Sequence, residues 1–64
     1  MISLHRQNGH PILVNADLIE IAELADDGST AITLTSGNTL VVTEPLEAVR
    51  AAVVAFRRSI APAQ

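Results

Sequence analysis

Two histidines are the residues of this sequence best suited to bind a metal ion. His5 and His10 lie on either side of Asn8 and Gly9, a pair that favours a tight turn. On a hairpin folded at that turn, the two imidazoles could come close enough to share a metal ion. No third ligand is evident nearby, and solvent-facing histidines are common on strands. We therefore expect no metal site and no cofactor.

The acidic and hydroxyl side chains are better explained by turns and strands than by catalysis. Asp26 and Asp27 precede Gly28, but the ligand spacing of a calcium-binding loop is missing, so they predict a turn. Glu20 and Glu23 fit the solvent-facing positions of a short strand. Six hydroxyl residues share one segment, where threonine favours strand structure: Thr30, Thr33, Thr35, Ser36, Thr39 and Thr43. The sequence has no nucleophile elbow, phosphate loop or dinucleotide fingerprint, and we expect no enzymatic activity.

Length and composition argue against several of the remaining classes of function. The chain has 64 residues with four arginines, no lysine, seven acids, no cysteine and one aromatic residue, and its net charge is −3. A domain of ~60 residues buries only ~60% of its unfolded surface, which leaves no room for a cleft between lobes. Phosphate contacts need a basic surface, so the acidic balance argues against nucleic acid. No apolar run can cross a bilayer and no signal peptide is evident, so we expect a cytoplasmic protein without membrane insertion.

The elements that would position these residues begin with a hairpin. Ile2 and Leu4 alternate with polar residues, which is the two-residue period of a half-buried strand. Asn8 and Gly9 predict a type I′ turn with positive φ at both positions. Residues 12–14 are apolar and predict the returning strand, and the preceding proline places that strand at an edge or a strand start.

A meander is predicted for residues 18–43. Two strands, 31–35 and 39–43, flank a turn at 36–38, and another turn signal lies at 26–29. Residues 18–24 are ambiguous, because their apolar spacing also fits a helix that Asn15 or Asp17 could cap. A meander needs a first strand before the turn at 26–29, and this requirement favours strand over helix for residues 18–24.

One helix is predicted at the carboxyl end. Pro45 suits a helix start, Glu47 lies in the first turn, and Arg57 and Arg58 lie near the end, as the helix dipole favours. Apolar residues at steps of three and four predict the side that packs on the sheet: Leu46, Val49, Val53, Phe56 and Ile60.

These elements predict one small α+β domain over residues 1–60, with a disordered tail at 61–64. The domain consists of a hairpin plus a three-stranded antiparallel meander, covered by one C-terminal α-helix. The predicted core joins the helix stripe to the inward residues of the strands: Ile2, Leu4, Ile12, Val14, Ile19, Ile21, Ile32, Leu34, Leu40 and Val42.

A second apolar surface is predicted on the other side of the helix. Val54 lies off the stripe, and with Ala51 and Ala55 it would extend an apolar surface that a lone domain leaves exposed. These three residues are the predicted contact surface for a protein partner.

Several segments in a fixed order resemble one known family. Residues 1–9 read M-I-S-L-x-R-x-N-G, residues 12–20 read I-L-V-N-A-D-L-I-E, and residues 31–42 read A-I-T-L-T-S-G-N-T-L-V-V. In this combination the chain resembles the FlbD family of small flagellar proteins, which includes the swarming motility protein SwrD. The resemblance implies a cytoplasmic accessory of bacterial flagellar motility that supports motor power during swarming. It implies a partner in the flagellar motor or export apparatus and brings no catalytic residues.

The opening of the chain also resembles a second family. It matches the start of the carbon-storage-regulator family, small β-rich dimers that bind messenger RNA, at Met1, Leu4, Arg6 and Gly9. This match ends within the first hairpin. The alternative function is therefore a small RNA-binding regulator in which Arg6 contacts a phosphate. Otherwise Arg6 is a surface arginine that pairs with Glu20 or Glu23.

The small core also predicts self-association. Backbone entropy opposes folding by ~1–2 kcal/mol per residue, and a cysteine-free core with one aromatic residue offsets little of it. A homo-oligomer would bury additional surface. The expected contacts are an unpaired strand edge, at residues 2–6 or 39–43, or the outer surface of the helix.

Overall fold

Five strands and one long helix follow each other along residues 1–60, the part of the chain that the computed structural model describes (backbone only at 59 and 60). The strands are β1 (Ile2–His5), β2 (Pro11–Val14), β3 (Ile19–Leu24), β4 (Thr30–Leu34) and β5 (Thr39–Val42), and the helix is α1 (Leu46–Ile60). One turn of 3-10 helix, Ala16–Leu18, connects β2 to β3. The predicted α+β architecture is confirmed, and the ambiguous segment forms a strand. The predicted tail at 61–64 lies outside the described residues.

The strands form a two-stranded hairpin and a three-stranded meander, and all pairs are antiparallel. In the hairpin, Ile2 of β1 lies opposite Val14 of β2. In the meander, β4 is the central strand, and its Ile32 lies opposite Ala22 of β3 and Leu40 of β5. The two sheets therefore place rows of apolar side chains toward a common interior.

The hairpin and the meander meet where β1 ends. Arg6 forms a β-bridge with Val42, and the Thr43 amide donates to the His5 carbonyl at 2.8 Å. This junction joins the two strands predicted as unpaired edges, 2–6 and 39–43, at their ends. Within the described chain, β2 pairs only with β1 and β3 pairs only with β4. Each of these two strands therefore has one free edge.

Three hairpin turns share one backbone conformation. In each turn a glycine N–H donates to the carbonyl three residues earlier: Gly9 to Arg6 at 2.8 Å, Gly28 to Ala25 at 3.0 Å and Gly37 to Leu34 at 2.9 Å. The φ angles of these glycines are 89°, 89° and 92°, in the left-handed region. This is a type I turn followed by a left-handed glycine, a common three-residue hairpin loop.

The type I′ turn predicted at Asn8 is therefore wrong. Positive φ is confined to glycine among the described residues, so Asn8 does not adopt it. Its side chain instead accepts a hydrogen bond from the His10 amide at 3.0 Å. The same bond recurs in the other turns, from the Ser29 amide to Asp27 at 3.0 Å and from the Asn38 amide to Ser36 at 3.4 Å. A polar residue before each glycine thus stabilises all three loops.

The core lies between the sheets and α1. Seven apolar residues are almost fully buried: Ile2, Leu4, Val14, Ala16, Ile32, Val42 and Val49. Half-buried apolar residues pack around them: Ile12, Ile19, Ala22, Leu34, Leu40, Ala52, Val53 and Phe56. The predicted helix stripe therefore faces the core at Val49, Val53 and Phe56. Ile60 lies outside the residues whose side chains the structure describes.

One residue of the predicted core, Ile21, is 46% exposed. The register of β3 against β4 shifts between Ile19 and Ile21, so that Ile19 lies opposite Leu34 while Ala22 lies opposite Ile32. One extra residue in a strand reverses the face on which the following side chains lie. Ala22 consequently packs against the core, and Ile21 lies on the opposite face.

Candidate functional site

A polar junction fixes the start of the helix against the first hairpin. Glu44 lies between β5 and α1. Its Oε1 accepts the backbone N–H of His5 at 2.9 Å, and its Oε2 lies 2.7 Å from His5 Nδ1. The hydroxyl of Thr30, a fully buried residue, donates to the Glu44 carbonyl at 2.7 Å. One residue thus connects β1, β4 and the helix.

The Glu44 carboxyl is suited to structure rather than to proton transfer. Partial burial raises its pKa, but the hydrogen bonds from the His5 ring and amide lower the pKa by more than burial raises it. The pKa therefore falls below its ordinary value of 4.5. The ionised carboxylate can only accept hydrogen bonds, which makes His5 Nδ1 the donor. A general acid at neutral pH needs a raised pKa, and this group has the opposite shift.

The two histidines do not build a metal site with other ligands. The ring of His5 bonds to Glu44, whereas His10 lies in the turn, where its carbonyl accepts the Arg6 amide at 2.9 Å. Within the part of the chain that the structure describes, no three side chains of His, Asp or Glu are grouped so that they could hold an ion.

An apolar groove of about 470 Å³ runs along the free edge of β2, and we call it the hairpin groove. Its apolar lining includes Met1, Ile12, Leu13, Leu18, Leu34 and Leu40. Four successive residues, 12–15, line it. Successive side chains of a strand point to opposite faces, so the groove follows the edge of β2 rather than one face. Met1 and Leu13 are 64% and 70% exposed, which leaves large apolar side chains in water.

The second surface is the outer face of α1, formed by Arg50, Ala51, Val54, Ala55 and Arg58. All five residues are exposed, and their spacing of one, three and four places them on one side of the helix. The ion pair of Arg50 with Glu47, at 3.8 Å between highly exposed groups, holds that arginine only weakly. The structure therefore brings together the predicted contact residues Ala51, Val54 and Ala55 and adds an arginine at each end.

Arg6, the fourth predicted contact residue, lies apart from this face. Its side chain is exposed and is the one charged side chain among the described residues that line the hairpin groove. It forms no ion pair with Glu20 or Glu23 in the described structure. The other three arginines lie on α1, where Arg57 pairs with Asp17 at 3.5 Å. A nucleic-acid phosphate in the groove would therefore meet a single cationic side chain.

Sequence reasoning does not find the hairpin groove, although a signal for it exists. The run of apolar residues at 12–14 lacks the alternation expected of a strand with one face in water. Such a run indicates apolar contacts on both faces, and Leu13 is its outward residue. Glu44 has no comparable signal, because its partner His5 is 39 residues away.

Comparisons with known proteins place these surfaces in a family context. Residues 1–61 match the family model FlbD, described as flagellar and swarming motility proteins, which covers nearly the whole chain. No curated protein and no solved structure matches the sequence. No helix in the described range 1–60 is long and apolar enough to cross a membrane.

Proposed function

This chain belongs to the FlbD family of flagellar and swarming motility proteins, and we propose that it is a non-enzymatic, cytoplasmic accessory that supports flagellar motor power through contact with another protein. The family membership supports the role in motility. The outer face of α1 is the observation that supports action by contact. An apolar helix face that is exposed to water and flanked by charged residues is typical of a protein-binding surface.

Binding is also favoured over catalysis by the use of the polar groups. His5 and Glu44 have the side chains most able to move protons, and they bond to each other. Thr30 is buried with its hydroxyl donated to a backbone carbonyl. These groups hold elements together, whereas the exposed apolar residues have no such task within the chain.

The chemistry of the outer face suggests the partner. Arg50 and Arg58 are eight residues apart, which is about 12 Å along a helix axis. Between them, Ala51 and Ala55 are small enough for another backbone to approach closely. The partner surface that fits is an acidic helix with carboxylates about two turns apart and apolar residues between them. We propose that a component of the flagellar motor or export apparatus presents this helix.

A charge placed in the centre of this face tests the proposal. A strain that lacks the gene should swarm poorly, and the parent gene should restore swarming. The variant Val54→Glu should fail to restore it, because the new carboxylate would lie against the acidic partner. The matched control is Gln7→Glu, which adds the same charge to an exposed residue of the first hairpin turn, away from the helix, and should restore swarming.

Circular dichroism melts of both purified variants show whether each one folds. Normal swarming of the deletion strain would contradict the role in motility, and full rescue by folded Val54→Glu would contradict the role of this face. The variant Arg6→Ala separates the RNA-binding alternative. Loss of rescue by this variant, together with RNA affinity that falls steeply with salt, would favour that alternative instead.

A further inference from the structure

The free edges of β2 and β3 differ in charge. The edge formed by β3 has two exposed acids, Glu20 and Glu23, next to Ile21 and Leu24, which are 46% and 58% exposed. The edge formed by β2 borders the hairpin groove, whose charged side chain is Arg6. From this complementarity we propose that the hairpin groove of one copy binds the β3 edge of a second copy, head to tail.

Backbone chemistry supports strand addition at these edges. An edge strand presents N–H and C=O groups that another strand can pair with. The β2 strand has four residues and β3 has six, so both are long enough to form a short antiparallel ladder. A β3 edge seated beside β2 would also cover Leu13 and Leu18 with the exposed apolar residues of the incoming strand.

Charge decides between head-to-tail and symmetric contacts. A symmetric contact of two β3 edges would place four glutamates together, and like charges on paired strands are destabilising. A contact between two hairpin grooves would bring two Arg6 side chains together. The head-to-tail contact instead places Arg6 near Glu20 or Glu23 of the next copy. This heterologous arrangement closes into a ring or continues as a chain of subunits.

The outer face of α1 is left free by this arrangement. Two copies joined symmetrically through that face would bring Arg50 and Arg58 of each helix together, which disfavours it as a contact between copies. Self-association and partner binding therefore use different surfaces. A variant that disrupts one should leave the other intact.

A charge exchange tests the head-to-tail contact. We compare the parent, Arg6→Glu and the double variant Glu20→Arg/Glu23→Arg by light scattering behind size exclusion, over a micromolar dilution series. The parent should be larger than the single-chain mass of 6.7 kDa, and each variant alone should fall to that mass. An equimolar mixture of the two variants should regain the larger mass, since each acidic groove then meets a basic β3 edge and each basic groove an acidic one.

Two controls accompany these variants. Glu47→Arg makes a similar charge change at an exposed helix position and should keep the mass of the parent. Val54→Glu should also keep it, because it alters only the outer face of α1. Melting curves confirm that every variant folds.

Four results would each overturn the proposal. The parent could run at the mass of a single chain, or the mixture could fail to regain the larger mass. If Arg6→Glu alone still assembles, Arg6 takes no part in the contact. If the double variant alone still assembles, Glu20 and Glu23 take no part in it.

Discussion

Among single residues, Glu44 joins segments that are far apart in the sequence. Its carboxylate holds the amide and the ring of His5, 39 residues earlier, while its carbonyl accepts the hydroxyl of Thr30. The side chain is only 22% exposed, so water replaces these bonds poorly. Glu44, two residues before α1, therefore holds the start of the helix against the first hairpin.

Replacing Glu44 with glutamine should lower stability and change its dependence on pH. Glutamine has the same shape but turns one acceptor into a donor that opposes His5 Nδ1, and we expect a cost of about 1 kcal/mol at neutral pH. Folding lowers the Glu44 pKa below 4.5. Its contribution is therefore complete above pH 4.5 and is lost as the pH falls through the lower, folded value.

Urea denaturation of parent and Glu44→Gln from neutral to acidic pH measures this difference. The two free energies of unfolding should converge on acidification. Hydrogen bonds from the hydroxyl and amide of Ser29 also lower the pKa of Asp27, but both proteins share that effect and it cancels in the comparison. Curves that stay parallel down to acidic pH would show that the Glu44 charge does not stabilise the fold.

On the scale of elements, features that depend on local sequence patterns were predicted better than features that depend on contacts between distant residues. The helix stripe and the outer face at Ala51, Val54 and Ala55 follow from a 3.6-residue period within one segment. The structure packs Val49, Val53 and Phe56 of the stripe on the core and leaves the outer face exposed. The bulge that exposes Ile21 depends on how β3 pairs with β4, and the bond between Glu44 and His5 depends on the whole chain. Neither has a signature in neighbouring residues.

The turns are an intermediate case. Their positions were predicted correctly, but the type I′ conformation predicted at Asn8 was wrong. A pair such as Asn8 and Gly9 suits type I′ turns when two residues form the loop. Here the loop has three residues, and the Asn8 side chain bonds to the His10 amide. Only the glycine then needs positive φ. The common pattern of a polar residue followed by glycine would have indicated this turn in all three hairpins.

The three turns should need glycine because of its left-handed backbone conformation, and not because a larger side chain would clash with its neighbours. A Cβ atom at Gly28 would meet no atom within 4 Å, so the cost of Gly28→Ala comes from φ of 89° alone. We expect a loss of about 1–2 kcal/mol in the free energy of unfolding. The control Asp26→Ala, in the same exposed loop, should change it much less. Urea titrations of both variants measure the two losses in the free energy of unfolding. Equal losses for Gly28→Ala and Asp26→Ala would contradict this account of the turn.

At the scale of the whole molecule, stability rests on a small aliphatic core. Val49 is 2% exposed and packs beneath the sheets, whereas Val54 is 39% exposed on the opposite side of the same helix. Replacing Val49 with alanine should cost about 2 kcal/mol, through lost burial and the cavity left behind. Val54→Ala should be nearly neutral, since it removes little buried surface and alanine favours helix.

Thermal melts of these two valine variants test the assignment of the helix faces. Domains of this size have little stability to lose, so Val49→Ala should show a clear drop in melting temperature. Similar melting temperatures for the two variants would mean that α1 does not pack as the structure describes.

The joint between β1 and β5 has a consequence for the order of folding. The three hairpins close short loops, which takes about 1–10 μs in small proteins. Joining Arg6 to Val42 requires distant parts of the chain to meet, which is a slower step than closing a hairpin. We expect this joint to form late. Until the joint closes, the ends of β1 and β5 that it connects stay unpaired, so the contact that completes the fold also covers backbone groups that could pair with another chain during synthesis.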